Sequence, residues 1–185
     1  RAELWSHNIA TAITARAVAR SLQTNHAERV FLAGLMHDVG KLLLLQQHVE
    51  NYERIIKQAV AQGVEAPLAE VQVYPFDHTH VGQMIAEKWR FARELYDAIG
   101  DHHKPWADVP AGSLTSIIKL SDIIVHASGF GASRDVMSYQ RIYQPMLDEA
   151  WDFFGVPSRD QKKLMQQVAI DFNAEYETYQ EWGRA

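Results

Sequence analysis

Leu35-Met36-His37-Asp38-Val39-Gly40-Lys41-Leu42 places a histidine, an aspartate and a lysine inside an otherwise apolar run. From about Ala27 to Gln47 the apolar residues return with helical spacing, so the pattern predicts one helix with His37 and Asp38 in its middle. Buried without partners these side chains would be strongly destabilising, and a divalent metal is one way to compensate them. Lys41 follows His37 by four residues and Asp38 by three, which puts it near the same side of a helix. For this stretch alone, a hydrogen-bonded polar pair at a helix surface is the simpler account.

The rest of the chain reads as helices as well. Upstream, Leu4 to Leu22 repeats Trp5, Ile9, Ile13 and Ala17 along one stripe. Downstream, Tyr52, Ile55, Ile56, Ala59 and Val60 make a helix stopped by Gly63, and Pro67 opens a short one with Leu68 and Val71. Pro75 breaks the chain before Asp77, a good N-cap for a helix through Val81, Met84, Ile85 and Trp89. Phe91, Leu95 and Ile99 form another, ending near His102 and His103, and Pro105, Pro110 and Gly112 mark a loop. An apolar helix then runs through Leu114, Ile117, Ile118, Asp122, Ile124 and Val125. Gly129 to Ser138 reads as a loop, Pro145 to Phe154 as one element, and Ser158 as the cap of a last helix through Leu164, Val168, Phe172 and Tyr176. With no alternating strand pattern and no internal repeat, the expectation is an all-α globular helical bundle. Residues 1–127 would form its metal-binding core, and 128–185 a loop and C-terminal helices packed on it in the same domain.

Composition narrows the function classes. At 185 residues and 47% hydrophobic, the chain can bury one sizeable core. Its 18 Lys+Arg against 23 Asp+Glu give a net charge of −5, which argues against a broad nucleic-acid surface. Without cysteine there are no disulfides or thiolate ligands, so a bound metal would need nitrogen and oxygen donors, and a cytoplasmic protein fits best. The longest apolar runs fall far short of a membrane span, and no signal-peptide pattern opens the chain. An initial Arg1, with a candidate functional histidine at position 7, suggests a piece excised from a longer protein.

Five histidines and two aspartates stand out: His7, His37, Asp38, His78, His102, His103 and Asp122, spread over separate helices or helix ends. Such donors suit Fe, Mn, Zn or Ni, and an aspartate can bridge two ions. The remaining histidines have plainer readings. His80 lies about 200° around a helix from His78 and reads as a surface residue; His26 and His48 fall at helix ends. His126, one turn beyond Asp122, either orients it or is an ordinary surface histidine. Trp5, Trp89, Trp106, Trp151 and Trp182 read as packing or partner-contact residues.

The order His7, His37-Asp38, Asp122 resembles the ligand set of the HD superfamily of metal-dependent phosphohydrolases. His37-Asp38-Val39-Gly40-Lys41 is similar to the His-Asp-x-Gly-Lys form of its HD-GYP and HDOD branches, as are His78 four residues before Gly82 and the pair His102-His103. Asp77-His78-x-x-Val81-Gly82 followed by Trp89, and Ala98-Ile99 before the paired histidines, look most like HDOD output domains. The resemblance covers about residues 4–127. The Gly-Tyr-Pro signature of the HD-GYP branch is absent, because the chain reads Lys104-Pro105-Trp106-Ala107-Asp108-Val109-Pro110, which argues against specialised cyclic di-GMP cleavage.

By that resemblance the seven residues would hold divalent metal, as two ions bridged by Asp38. A metal-activated water would attack phosphorus in a nucleotide-like phosphoester, Lys41 would stabilise phosphoryl charge, and His102 or His103 would act on the water or leaving group. The alternative is a non-catalytic output module that keeps the metal and signals by binding a protein partner. Retention of every ligand position favours the enzyme, and the HDOD-like wording favours the module. A metal-free scaffold would make the seven-residue pattern a coincidence.

Overall fold

The helix expected from Ala27 to Gln47 is broken in two at the residues that matter. In the computed structural model, which describes residues 2–24, 27–47, 49–130 and 136–182, α2 (Ala27–Met36) and α3 (Val39–Gln47) are separated by a turn at His37 and Asp38. The His37 backbone N–H still donates to the Ala33 carbonyl at 2.8 Å, but its ring Nδ1 donates to the Gly34 carbonyl at 2.7 Å. That carbonyl is the one a continuing α-helix would offer to the Asp38 N–H. The chain tightens instead, with the Lys41 N–H donating to the Asp38 carbonyl at 2.9 Å. The turn aims His37 and Asp38 inward together, which a regular helix would not do for adjacent residues.

The other elements are α1 (Ala2–Ser21), α4 (Val49–Gln62), α5 (Ala66–Glu70), α6 (His78–Lys88), α7 (Arg93–Asp101), a 3₁₀ turn (Trp106–Asp108), α8 (Leu114–Ser128), α9 (Val136–Phe154) and α10 (Ser158–Trp182). The all-α expectation holds. Asp77 caps α6 as expected, its carboxylate accepting from the backbone of Thr79 and His80. Two boundaries differ. Val136, Met137 and Ser138 open α9 rather than belonging to a loop, and Pro145 lies inside that helix rather than at its start. A proline there removes one backbone donor, but burial of Tyr143, Leu147, Ala150 and Trp151 on the same helix outweighs the loss. Ser158 is the first residue of α10, and the preceding Pro157 carbonyl accepts from Asp160 and Gln161.

α1 and α8 form the centre. The stripe expected on α1 understates its burial: Asn8 to Ala15 and Ala17 to Ala19 are buried all round, while Trp5 is exposed. α1 lies against α2, α8 and α10, and α8 against α7 and α9 as well. The main core joins Val18, Val30, Ile99, Ile117, Ile118, Leu120 and Trp151. A second cluster, Leu44, Leu45, Tyr52, Ile55, Ala59 and Ala69, fixes α4 and α5 beside α3.

Two glycines set how close the site-bearing helices come. A Cβ on Gly34 would lie 2.5 Å from the Ala12 Cα, so α2 meets α1 backbone to backbone, and Asn8 Nδ2 donates to the Leu35 carbonyl at 3.1 Å nearby. A Cβ on Gly40 would lie 1.9 Å from the His78 carbonyl oxygen, so α3 presses directly on the start of α6. Among the described residues no helix is long and apolar enough to cross a membrane.

Candidate metal centre

All seven singled-out residues converge. α1 contributes His7, the α2–α3 turn His37 and Asp38, the start of α6 His78, the end of α7 His102 and His103, and the middle of α8 Asp122. Asp38 is fully buried at the centre. Its Oδ1 is 3.2 Å from His78 Nε2 and 3.8 Å from His102 Nε2. Its Oδ2 is 3.6 Å from His7 Nε2, 3.5 Å from His37 Nε2 and 2.7 Å from Lys41 Nζ. Asp122 Oδ1 lies 3.0 Å from His7 Nε2 and 3.6 Å from His37 Nε2.

The inward atoms share a second property. Nε2 of His7, His37, His78, His102 and His103, and Oδ1 of Asp38 and Asp122, are buried with no hydrogen-bond partner. Orphaned polar atoms are expensive. Here each of the seven residues offers one such atom, and donor atoms facing each other at these distances leave room for cations between them. Oxygen and imidazole nitrogen are also the donors that divalent Fe, Mn, Zn or Ni accepts, so the residues present fit a metal.

The far side of four of the five rings explains how Nε2 comes to face inward. His37 Nδ1 and His102 Nδ1 face backbone carbonyls, of Gly34 at 2.7 Å and Ile99 at 3.0 Å. His78 Nδ1 is held by Glu70 at 2.9 Å, and His103 Nδ1 by Glu65 at 2.8 Å. Carbonyls and carboxylates only accept, so in the neutral ring the proton sits on Nδ1 and Nε2 is left as a donor of electrons. Glu70, the last residue of α5, is fixed in turn by the Tyr52 hydroxyl at 2.6 Å and the His78 backbone N–H at 2.7 Å.

Without metal, the site gathers charge. Burial pushes the Glu70 carboxyl up, but His78 and the hydrogen bonds bring it down to about 2. Burial and Lys41 push His78 down, yet Glu70 and Asp38 raise it to about 9. Burial also opposes charge on Lys41, and Asp38 and Asp122 outweigh it, so the ammonium is held above its ordinary range. His102 is pushed well down by burial and by His103, and stays neutral.

A cleft of about 1140 Å³ reaches this centre from solvent. His7, Asp38, Lys41 and His126 line its floor, and Ile56 and Lys57 from α4 and Tyr139 and Arg141 from α9 its walls. His102 and His103 are not part of the lining. Trp106 lies elsewhere, stacked on Phe153 at 4.5 Å and 5.0 Å from Lys119 Nζ, so the loop after the paired histidines leaves this entrance open.

Sequence reasoning missed Glu65, Glu70 and Tyr52. Glu65 holds His103 from 38 residues away and Glu70 holds His78 from 8, while Tyr52 steadies Glu70 from 18, pairs that no periodicity announces. His126 proves to be more than a surface residue: Nε2 is 3.4 Å from Asp122 Oδ1. His80 is exposed as expected. His26 and His48 lie outside the described residues, as does the side chain of Trp182.

Comparison with known proteins agrees with the fold. The chain is 29% identical over 154 residues to Ribonuclease Y of Acetivibrio thermocellus, covering 82% of this chain and 23% of that protein. It superposes on a Shewanella amazonensis SB2B structure provisionally described as a phosphohydrolase, with TM-score 0.67 and 21% identity, over 97% of this chain and 62% of the other. A Geobacter sulfurreducens HDOD domain protein of unknown function matches with TM-score 0.61 and 16% identity, over 93% of this chain and 63% of the other. The chain thus spans under a quarter of the ribonuclease and about three fifths of each solved chain. The family model for the HDOD domain matches residues 1–105, which include six of the seven converging residues, and the chain belongs to the HDOD domain family.

Proposed function

We propose that the chain is a divalent-metal-dependent phosphohydrolase acting on a phosphoester. The observation that carries this is the set of seven inward-facing, buried and unpartnered donor atoms, with His7 and Asp38 of the set lining an open cleft. His78, His102 and His103 with Asp38 Oδ1 would hold one ion, and His7, His37 and Asp122 with Asp38 Oδ2 a second, with Asp38 bridging. When bound, such ions lower the pKa of water towards neutrality and neutralise charge on phosphoryl oxygens.

The chain's own groups supply the rest. Lys41 lines the cleft with its ammonium 2.7 Å from Asp38 Oδ2, and its raised pKa keeps it charged at neutral pH to hold a phosphoryl oxygen. His102 is assigned to metal rather than to proton transfer, since burial keeps it neutral and its Nδ1 is tied to backbone. His103 is assigned the same way, because Glu65 holds its outer nitrogen and it lies off the cleft. The name of the Acetivibrio relative supports a phosphodiester as the first substrate class to try.

The test is hydrolysis of activated aryl phosphomonoesters and phosphodiesters by Mn- or Fe-loaded protein, with Lys41→Ala as the comparison. The variant is expected to keep metal and lose about 100-fold or more in rate. A second reading, a metal-holding output module that binds a protein partner, is favoured by exposed Leu68 on α5 and Val71, Val73 and Phe76 between α5 and α6. A fully metallated wild type that cleaves neither ester class decides for it.

A further inference from the structure

His126 belongs to the metal centre's geometry without being one of the seven. It lies one turn after Asp122 on α8, with Nε2 3.4 Å from Asp122 Oδ1. With His7 and Asp122 it forms a group whose donor atoms all lie within 4.8 Å of one another. Nitrogen and oxygen ligands sit at about 2.0 to 2.2 Å from an ion, so neighbouring donors on one ion are about 3.0 to 3.5 Å apart. The separations of Asp122 Oδ1 from His7 Nε2, 3.0 Å, and from His126 Nε2, 3.4 Å, fall in that window. Two of the three atoms, His7 Nε2 and Asp122 Oδ1, have no hydrogen-bond partner.

The ring is also held in place as a ligand ring needs to be. It stacks on His7 at 4.5 Å, on Tyr143 at 4.2 Å and near Tyr139 at 5.1 Å, with interplanar angles of 26°, 19° and 6°. Such stacking fixes the direction of Nε2.

We infer that His126 is an additional nitrogen ligand of the cleft-side ion, alongside His7 and Asp122. This rests on the proposed metal-holding role of the cluster. It implies that the cleft-side ion carries a heavier imidazole complement than the seven-residue pattern provides, leaving fewer positions for water or substrate. His126 also lines the cleft, so displacement of its nitrogen would open such a position.

The experiment is a titration of metal-stripped full chain with Co(II), whose visible bands report the ligands of each ion. Wild type is compared with His126→Phe, which keeps an aromatic ring in the stack but has no donor nitrogen. The expected result is that one class of Co(II) binds the variant with unchanged bands, while the other loses about tenfold or more in affinity, shifts its bands, and recovers them with added free imidazole. Bands identical to wild type for every ion overturn the inference and leave His126 as a positioning residue for Asp122. Wild type that takes up no Co(II) overturns the metal reading itself, so the two failures are distinct. If the variant does not fold, the proton spectrum of Co(II)-loaded wild type decides. An exchangeable, paramagnetically shifted ring N–H assigned to His126 supports ligation, and its absence among the shifted histidine signals overturns it.

Discussion

Asp38 and His78 show how the site works one side chain at a time. Asp38 turns one oxygen towards His78 and His102 and the other towards His7, His37 and Lys41, so a single carboxylate addresses both halves of the cluster. His78, raised to about 9, carries a proton at neutral pH in the metal-free protein. Nε2 must be free of that proton to bind metal, so metal uptake near pH 7 releases protons, and apparent affinity climbs with pH until about 9. Calorimetry in buffers of different ionisation heat checks this, and a binding heat independent of buffer contradicts it. Glu70 orients the same ring, so Glu70→Gln is expected to weaken metal binding by about 10- to 100-fold while the helical circular dichroism is kept. Unchanged affinity in that variant would show that the carboxylate does not position His78.

At the scale of elements, the site depends on where helices touch. Gly40 presses on the start of α6, where a Cβ would lie 1.9 Å from the His78 carbonyl oxygen and 2.8 Å from the Gly82 backbone nitrogen. Neither neighbour is a flexible side chain that can swing aside. Gly40→Ala should therefore push α3 from α6, destabilise the protein by about 1 to 3 kcal/mol in denaturant unfolding, and weaken metal binding by separating Asp38 from His78. Wild-type stability and affinity together would contradict this. The helices themselves were largely legible, because apolar spacing and the signals at Gly63, Pro67 and Asp77 act locally. The break at His37-Asp38 was not, since it follows from a ring nitrogen taking a helix carbonyl, which periodicity does not encode. Pro145 misled in the other direction, marking a start where burial of Tyr143 and Leu147 carries the helix through it. The seven residues that converge were all legible in the order of histidines and aspartates, whereas Glu65, Glu70 and Tyr52 look like ordinary residues around Pro67 until the fold brings them in.

For the whole molecule, the HDOD match ends at residue 105, yet Asp122 on α8 and a cleft wall on α9 lie beyond it. α8 is buried along nearly all its length and packs on both α1 and α9, so the C-terminal helices position the site as well as cover the core. The cleft lining sets Lys41, Lys57 and Arg141 against Glu3, Asp38 and Glu53, so its charges alternate in sign and Lys41 is the cation held directly against Asp38. Buried Ile9, Ile13, Ile99, Ile117, Ile118 and Ile124 each contribute about 1.5 to 3 kcal/mol to stability, so the fold should outlast an emptied metal site. The most direct test is the metal content of wild type and Asp38→Ala, both purified without chelator, with circular dichroism as the check on folding. The account predicts stoichiometric divalent Fe, Mn, Zn or Ni in the wild type, and a helical Asp38→Ala that retains little or none. A wild type that is metal-free and stays so when Mn or Zn is added, or an Asp38→Ala with wild-type metal content, would contradict it.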